Sequence, residues 1–262
     1  MPRVSVLLAV LVLALTLSAP VPAQVRAEGF AAPAEIKVTY TEPSDAGQAD
    51  RLRELAARLK AVADQLHPLE EIRIVVVHSP AELSRRLGTE DAVAGVSYVH
   101  GILFLSPVSW QRNPTDEALE QEMEQALVRY AAQELAGGNR LPDWLESGLV
   151  SVLTKRPFAG ATAEAVAQRG PLLLMRFEAD DPAVGYWAVR YLVEVRGGLA
   201  SIRQLLRLTA QRPSSFVENL QLVYGIPAGE LERDWRRWLH EQAEAEKKRE
   251  GRREGPLVRD RD

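Results

Sequence analysis

All of the strand-like patterns of this 262-residue chain lie before residue 106, and most of the helix-like patterns follow it. Runs that are β-branched, or that alternate apolar and polar residues, lie before residue 106 and predict four strands: Ile36–Tyr40, Ile72–Val77, Val96–Val99 and Ile102–Leu105. His100-Gly101, between the last two, predicts a two-residue hairpin turn. Because the strands precede most of the helices instead of alternating with them, we expect an α+β fold with a mixed or antiparallel N-terminal sheet.

Apolar stripes at helical spacing predict the helices. One stripe lies among the strands at Asp50–Leu66, and Ser79-Pro80-Ala81-Glu82 has the Ser cap, early proline and Glu that begin a helix. The remaining stripes follow residue 114 in close succession: Thr115–Leu135, Leu141–Leu153, Tyr186–Val195, Leu199–Leu208 and Pro227–His240. The C-terminal part of the chain is therefore expected to be helical.

The N-terminus has the features of a secretory signal peptide. A basic residue precedes the apolar run Val4–Ser18, and the small residues Val21 and Ala23 precede a cleavage site. The run is shorter than the roughly 20 residues that a membrane-spanning helix needs. We expect residues 1–23 to be cleaved, residues 24–34 to be a linker, and the mature protein to be secreted or periplasmic without a stable transmembrane segment. An uncleaved membrane anchor is the alternative.

Composition excludes several kinds of site. The chain has no cysteine, which rules out disulfides, Cys-ligated zinc, iron–sulfur clusters and thiol nucleophiles. Its four histidines form no short motif: His67, His78, His100 and His240. A formal charge of −4 argues against nucleic acid as the main partner, because nucleic-acid-binding surfaces are basic. We expect a monomer that binds no nucleic acid.

The segment Leu119–Val152 resembles the core of the peptidase MA-like, gluzincin-type metallopeptidase domains. Those domains have an HExxH helix, a glycine-containing break and an LPxWLxEGLA motif on a second helix. Leu141–Leu145 and Gly148-Leu149 match the second motif, and Tyr224–Leu239 is similar to the C-terminal helices of the family. The resemblance implies a peptidase MA-like domain over residues 35–240. Its sheet-containing half (35–135) would carry the zincin-like active-site helix, and its second half (136–240) would be a helical subdomain.

The metal site of this family maps onto the chain position by position. In the family, two histidines on one helix face and the glutamate of the second motif hold zinc, and the HExxH glutamate is the general base. The segment Gln121–Gln125 stands where HExxH would be. The resemblance therefore gives Glu122 the general-base position and makes three residues vestigial metal-ligand positions: Gln121, Gln125 and Ser147. Glu146 lies one residue before the third position, about 100° around the helix, so we expect it to point elsewhere.

Replacement of all three ligands predicts that zinc, the cofactor expected for the family, is lost and that no metal is bound. A glutamine amide oxygen is a poorer zinc ligand than imidazole. Without zinc, no Lewis acid lowers the pKa of a bound water. An ordinary polar helix face is the alternative interpretation of Gln121, Glu122 and Gln125.

Four residues are candidates for the cleft: His100, Trp144, Glu146 and Tyr186. In the related enzymes an edge strand near the predicted hairpin lines the substrate cleft, which makes His100 a candidate. A residue adapted to a tight turn is the alternative for His100. Core packing at helical spacing is the alternative for Trp144.

The C-terminal segment Glu241–Asp262 has 14 charged residues in 22, seven of each sign. Such a composition buries too little apolar surface to order itself, so we expect a disordered, solvated tail. A tail that docks onto a partner is the alternative.

Three functions remain open. The first is an exported pseudopeptidase whose vacant cleft binds a peptide or an envelope protein, through addition of a strand to the sheet edge. The second is an active gluzincin-like metallopeptidase or hydrolase with an atypical metal set. The third is a structural envelope protein that uses the charged tail as its contact surface.

Overall fold

Four strands form a sheet of mixed direction at the N-terminal end of the fold. The computed structural model describes residues 34–40, 46–87, 95–106, 117–157, 161–168 and 181–253. Within these ranges the strands are β1 (Glu35–Thr39), β2 (Glu71–Val76), β3 (Val96–Val99) and β4 (Ile102–Leu105). Their order is β1-β2-β4-β3, with β1, β2 and β4 parallel and β3 antiparallel to β4. The α+β class and the mixed sheet are thereby confirmed.

The hairpin of β3 and β4 has the bounds that the sequence predicts. His100 and Gly101 both have positive φ, 45° and 78°, as a tight turn between twisted antiparallel strands requires. β4 lies inside the sheet, and its residues Leu103 and Leu105 are fully buried. Among the described strands, β1 and β3 lie at the two edges of the sheet, and Tyr98 near the end of β3 is only half-buried.

Nine helices occur in the described ranges. They are α1 (Ala46–Asp64), α2 (Pro80–Leu87), α3 (Glu117–Leu135), α4 (Asp143–Leu153), α5 (Ala163–Ala167), α6 (Pro182–Val195), α7 (Gly198–Gln211), α8 (Phe216–Tyr224) and α9 (Ala228–Arg253). Ser79 begins α2 as predicted, because its Oγ accepts the Glu82 N–H at 3.1 Å. The sequence patterns do not predict α5 and α8, which have five and nine residues and are too short for a clear apolar stripe.

Helix α3 lies at the centre of the fold. It contacts α1, β3, α4 and α7, and nine of its 19 residues are buried. Met123 and Leu127 are fully buried in the main hydrophobic core, which extends from the sheet into the helical half. Tyr130 anchors the helix to the sheet, since its hydroxyl donates to the Glu71 carbonyl at 2.8 Å. The sheet and the C-terminal helices therefore share one core, with α3 between them.

Helices α4 and α6 cross at backbone distance. A Cβ on Gly148 would lie within 3.0 Å of the Gly185 carbonyl, and a Cβ on Gly185 would lie within 3.0 Å of the Trp144 carbonyl. Two facing glycines thus allow an approach that larger residues would block. This crossing determines how α4 is rotated relative to its neighbours.

The structure corrects the predicted boundary at His240. Helix α9 continues to Arg253, and Ala243 within this extension is buried. Glu246 Oε2 accepts the Ala163 N–H at the start of α5 at 2.9 Å, and Lys247 pairs with Glu164 of α5 at 3.0 Å. The extension is ordered because its partners lie on α5, which the local composition does not reveal. Residues 254–262 lie outside the described residues.

All of the described residues belong to one compact unit, Ala32–Asp262. The expected signal peptide, residues 1–23, lies outside the described residues, as does the linker except Ala34. In the part of the chain that the structure describes, no helix is both long and apolar enough to cross a membrane.

Replacement of Gly185 by alanine should lower the free energy of unfolding by about 2 kcal/mol, because the new methyl group overlaps the α4 backbone. Gly47→Ala is the matched control: Gly47 lies in α1 with nothing within 4 Å of a Cβ, so alanine should stabilise the chain by about 0.5 kcal/mol. Urea denaturation measures both variants. Equal stability of Gly185→Ala and the unmodified chain would contradict the close crossing.

Candidate functional site

One face of α3 carries a row of polar side chains between its buried surfaces. Glu122, Gln125, Arg129 and Gln133 follow each other at intervals of three or four residues, so they share a helix face, and all four are half-buried. We call these four residues the polar stripe. Gln121 lies beside the stripe and is exposed. The polar stripe therefore contains two of the positions that the family resemblance singles out, Glu122 and Gln125.

The polar stripe begins against the edge strand. A Cβ on Gly95, the residue before β3, would lie 3.4 Å from Glu122 Cδ, so the carboxyl group contacts the entry to the strand. Further along both elements, the Tyr98 hydroxyl donates to Glu134 Oε1 at 3.3 Å. Because the contacts occur in the same order along both segments, α3 and β3 run side by side in one direction.

Tyr98 and Tyr130 form an aromatic wall between α3 and β3. Their rings stack with 4.9 Å between centroids. Burial raises the pKa of Tyr98 to about 12, so its hydroxyl stays protonated and remains a donor to Glu134 at neutral pH. Burial also raises the pKa of Tyr130.

Glu146 of α4 lies against α3. Its Oε2 accepts a hydrogen bond from Gln133 Nε2 at 2.9 Å, and its Oε1 lies 3.3 Å from Arg129 Nε. We expected Glu146 to be turned away from the metal-ligand positions. It contacts the polar stripe at residues one and two helical turns beyond Gln125. Both carboxylate oxygens of Glu146 therefore have partners on α3, which are the guanidinium group of Arg129 and the side-chain amide of Gln133.

Ser147, the third vestigial position, lies in the crossing of α4 and α6. Its Oγ donates to the Asp143 carbonyl at 2.7 Å, and the same atom would lie 2.7 Å from a Cβ on Gly185. Adjacent residues on a helix point about 100° apart, so Glu146 and Ser147 face different helices. The described contacts do not bring Ser147 together with Gln121 and Gln125.

A pocket of about 270 Å³ lies between β3, α3 and α4, and we call it the cleft pocket. The polar and aromatic residues that line it are Tyr98, His100, Arg129, Gln133, Arg140 and Glu146. Arg140 is 68% exposed and pairs loosely, at 3.7 Å, with Asp143, which lies outside the lining. The lining holds two guanidinium groups and one carboxylate, so its net charge is positive.

A second pocket, of about 330 Å³, shares His100 with the cleft pocket. Three carboxylates line it, those of Glu70, Glu71 and Glu134, against one arginine, Arg73. His100, a candidate from the sequence, thus stands between a positive pocket and a negative one.

The remaining two cleft candidates lie elsewhere. Trp144 is 1% exposed and packs edge-on against Phe216 of α8, with 6.3 Å between centroids. The alternative interpretation of Trp144 as core is therefore correct, because it lies on the apolar face of α4. Tyr186 lies on α6, where its ring is 5.4 Å from that of Trp187, and it lines neither of the two pockets beside His100.

The residues around the polar stripe do not fit a zinc ion. Among the described residues, no group of three or more His, Cys, Asp or Glu side chains is placed to hold a metal. Gln121 and Gln125 offer amide oxygens, and Glu146 is already paired with Arg129. A guanidinium keeps its positive charge at all accessible pH values, so it repels a cation placed beside it.

Sequence reasoning missed three residues of the cleft pocket: Arg129, Gln133 and Arg140. A signal for the first two was present, because they continue the spacing of Gln121 and Gln125 by one and two further turns. Arg140 has no comparable signal, since it lies in the break between α3 and α4 and reaches the pocket only through the path of that loop.

A double-mutant cycle tests the contact between α3 and α4. Arg129→Ala and Glu146→Ala should show a coupling of about 0.5 kcal/mol in urea denaturation, which decreases in 1 M NaCl because the pair is partly exposed. The control is the same cycle with Arg129→Ala and Ser147→Ala, which should show no coupling free energy. Coupling to Ser147 in place of Glu146 would mean that α4 is rotated differently.

Comparisons with protein-family models, with curated proteins and with solved structures find no significant match. The resemblance of Leu119–Val152 to the gluzincin-type domains therefore depends on its sequence pattern alone.

Proposed function

We propose that this protein is an exported, catalytically degenerate relative of the gluzincin-type metallopeptidases that binds an extended peptide segment in its cleft. The peptide would belong to a secreted or envelope protein. Export is inferred from the N-terminal signal-like sequence, and degeneracy from the glutamines at the two helix ligand positions.

The ion pair of Arg129 and Glu146 is the observation that carries this proposal. A zinc hydrolase needs a Lewis acid that lowers the pKa of a bound water to about 7. Here the α4 carboxylate on the polar stripe is held by a guanidinium at 3.3 Å and an amide at 2.9 Å. A guanidinium binds carboxylates and does not activate water, so the pair suits binding better than hydrolysis.

The edge strand supports peptide binding. β3 lies at one edge of the described sheet and pairs with β4 on one side, and Gly95, the residue before β3, contacts Glu122 of the polar stripe. A strand at the edge of a sheet can pair with an added strand through its main-chain groups. An extended peptide beside β3 would pass the cleft pocket and the second pocket, which shares His100 with it.

An active hydrolase is the second candidate, and Glu122 is the observation that favours it. The family resemblance assigns Glu122 to the general-base position, and its carboxyl group lies against Gly95, the residue before β3. The third candidate, contact through a free charged tail, loses support because Glu246 and Lys247 bind α5 of the same chain.

Zinc analysis and a peptidase assay separate the first two candidates. The purified chain should contain no stoichiometric zinc, should show no chelator-sensitive cleavage of casein, and should keep its thermal midpoint in EDTA, because the donor set around the polar stripe does not fit zinc. Stoichiometric zinc together with chelator-sensitive cleavage would overturn the proposal in favour of an atypical metal set.

Restoration of ligands tests the ancestry. Gln121→His and Gln125→His supply two imidazoles one turn apart. Two triple variants add a third ligand to this pair of imidazoles. One carries Arg129→Ala, which frees the carboxylate of Glu146, and the other carries Ser147→Glu, as in the family pattern. We expect the variant with free Glu146 to bind zinc more tightly than the one with Ser147→Glu, since Glu146 already faces α3. Competition with a colorimetric chelator measures both.

The two-histidine variant alone is the control for this comparison. Tighter binding by the Ser147→Glu variant would contradict the described rotation of α4 and support the family pattern at position 147. If neither triple variant binds zinc better than the control, the assignment of vestigial metal-ligand positions to this chain is wrong.

A further inference from the structure

We infer that the cleft pocket recognises a carboxylate of the bound peptide, either its C-terminus or an acidic side chain. This inference depends on the proposed peptide-binding function and names the chemistry of the ligand. It rests on the two arginines of the pocket, their existing partners and the position of the pocket beside β3.

Glu146 does not cancel the positive charge of the cleft pocket. Its Oε1 and Oε2 are held by Arg129 and Gln133, so the carboxylate is already satisfied. Its one negative charge stands against two guanidinium groups in the lining. The excess positive charge and the remaining N–H groups favour an anion.

Arg129 has donors left for a ligand. A guanidinium has five N–H groups, and the described contact with Glu146 is made through Nε. The terminal nitrogens present the planar edge that matches the two oxygens of a carboxylate. Glu146, whose other carboxylate oxygen accepts from Gln133, pairs with the Arg129 side chain and positions it, which reduces the entropy that binding would cost.

Arg140 supplies the second cation of the cleft pocket. It belongs to the loop between α3 and α4, is 68% exposed, and has only a loose pair with Asp143 at 3.7 Å. An exposed ion pair at that distance contributes little free energy. A ligand carboxylate can therefore replace Asp143 as the partner of Arg140 at little cost.

The cleft pocket also lies where an added strand would deliver a carboxylate. Tyr98 and Val99 of β3, with His100 of the turn, form one wall of the pocket. A peptide paired along β3 would end, or would direct alternate side chains, beside Arg129 and Arg140. The second pocket, which shares His100 with the cleft pocket, is lined by three carboxylates and would repel a carboxylate of the peptide. This contrast sets the position of the charged group along the peptide.

Four short peptides test the inference, all N-acetylated and built on the sequence Thr-Val-Thr-Val. One has a free C-terminus and one a C-terminal amide, and two amidated versions end in an added Glu or Gln. Backbone amide NMR shifts of Tyr98 and Val99 report binding beside β3, and the titrations give Kd. We expect at least one carboxylate peptide to bind about tenfold more tightly than its neutral partner, as charge-assisted hydrogen bonds predict.

Arginine variants locate the interaction. Arg129→Gln and Arg140→Gln should each reduce the carboxylate preference, which is the ratio of the Kd of a neutral peptide to the Kd of its carboxylate partner, severalfold. Arg207→Gln is the control, because Arg207 is an exposed arginine on α7. High salt should weaken the carboxylate preference more than the amide affinity. Circular dichroism checks that each variant is folded.

The possible outcomes separate this inference from the proposed function. Preference for the free C-terminus or for the Glu side chain identifies the source of the carboxylate. Equal binding of charged and neutral peptides at β3 would overturn the carboxylate inference and leave the proposed peptide binding intact. Absence of shifts at β3 with every peptide would overturn both, and a preference that survives both arginine substitutions would overturn the assignment to the cleft pocket.

Discussion

The burial of α3 determines where every polar group of the cleft lies. The helix packs on β3, α1, α4 and α7, and the Tyr130 hydroxyl donates to the Glu71 carbonyl of β2. Any rotation would move buried side chains such as Met123 and Leu127 into water, which costs about 25 cal/mol per Å². The half-buried polar stripe is the face that remains, so its position beside β3 follows from the packing of the apolar faces.

Charge compensation across the cleft links the rotation of α4 to the proposed function. A half-buried carboxylate needs partners, and Glu146 finds them in Arg129 and Gln133. The same contact places a permanent cation beside the positions where the resembled enzymes hold zinc. The proposed loss of metal chemistry and the proposed carboxylate recognition therefore have one physical basis, since a guanidinium repels metal ions and attracts carboxylates.

Elements with strong local signals were predictable from the sequence. The hairpin of β3 and β4 follows from its turn, where His100 and Gly101 accept positive φ. Helix α3 follows from its apolar period over 19 residues. The extension of α9 was not predictable, because Glu246 and Lys247 find their partners on α5, far away in sequence. Composition alone describes that segment as a solvated tail.

For the candidate site, the sequence by itself determined which chemical groups are available: no cysteine, glutamines at positions 121 and 125, and a carboxylate at Glu122. Only the tertiary structure decided that Glu146, and not Ser147, contacts α3, and that Arg129 and Arg140 line the same pocket. A step of one residue turns a side chain by about 100° around a helix. The rotation of α4 is set by its crossing with α6 at Gly148 and Gly185, a contact between distant segments that no local pattern records.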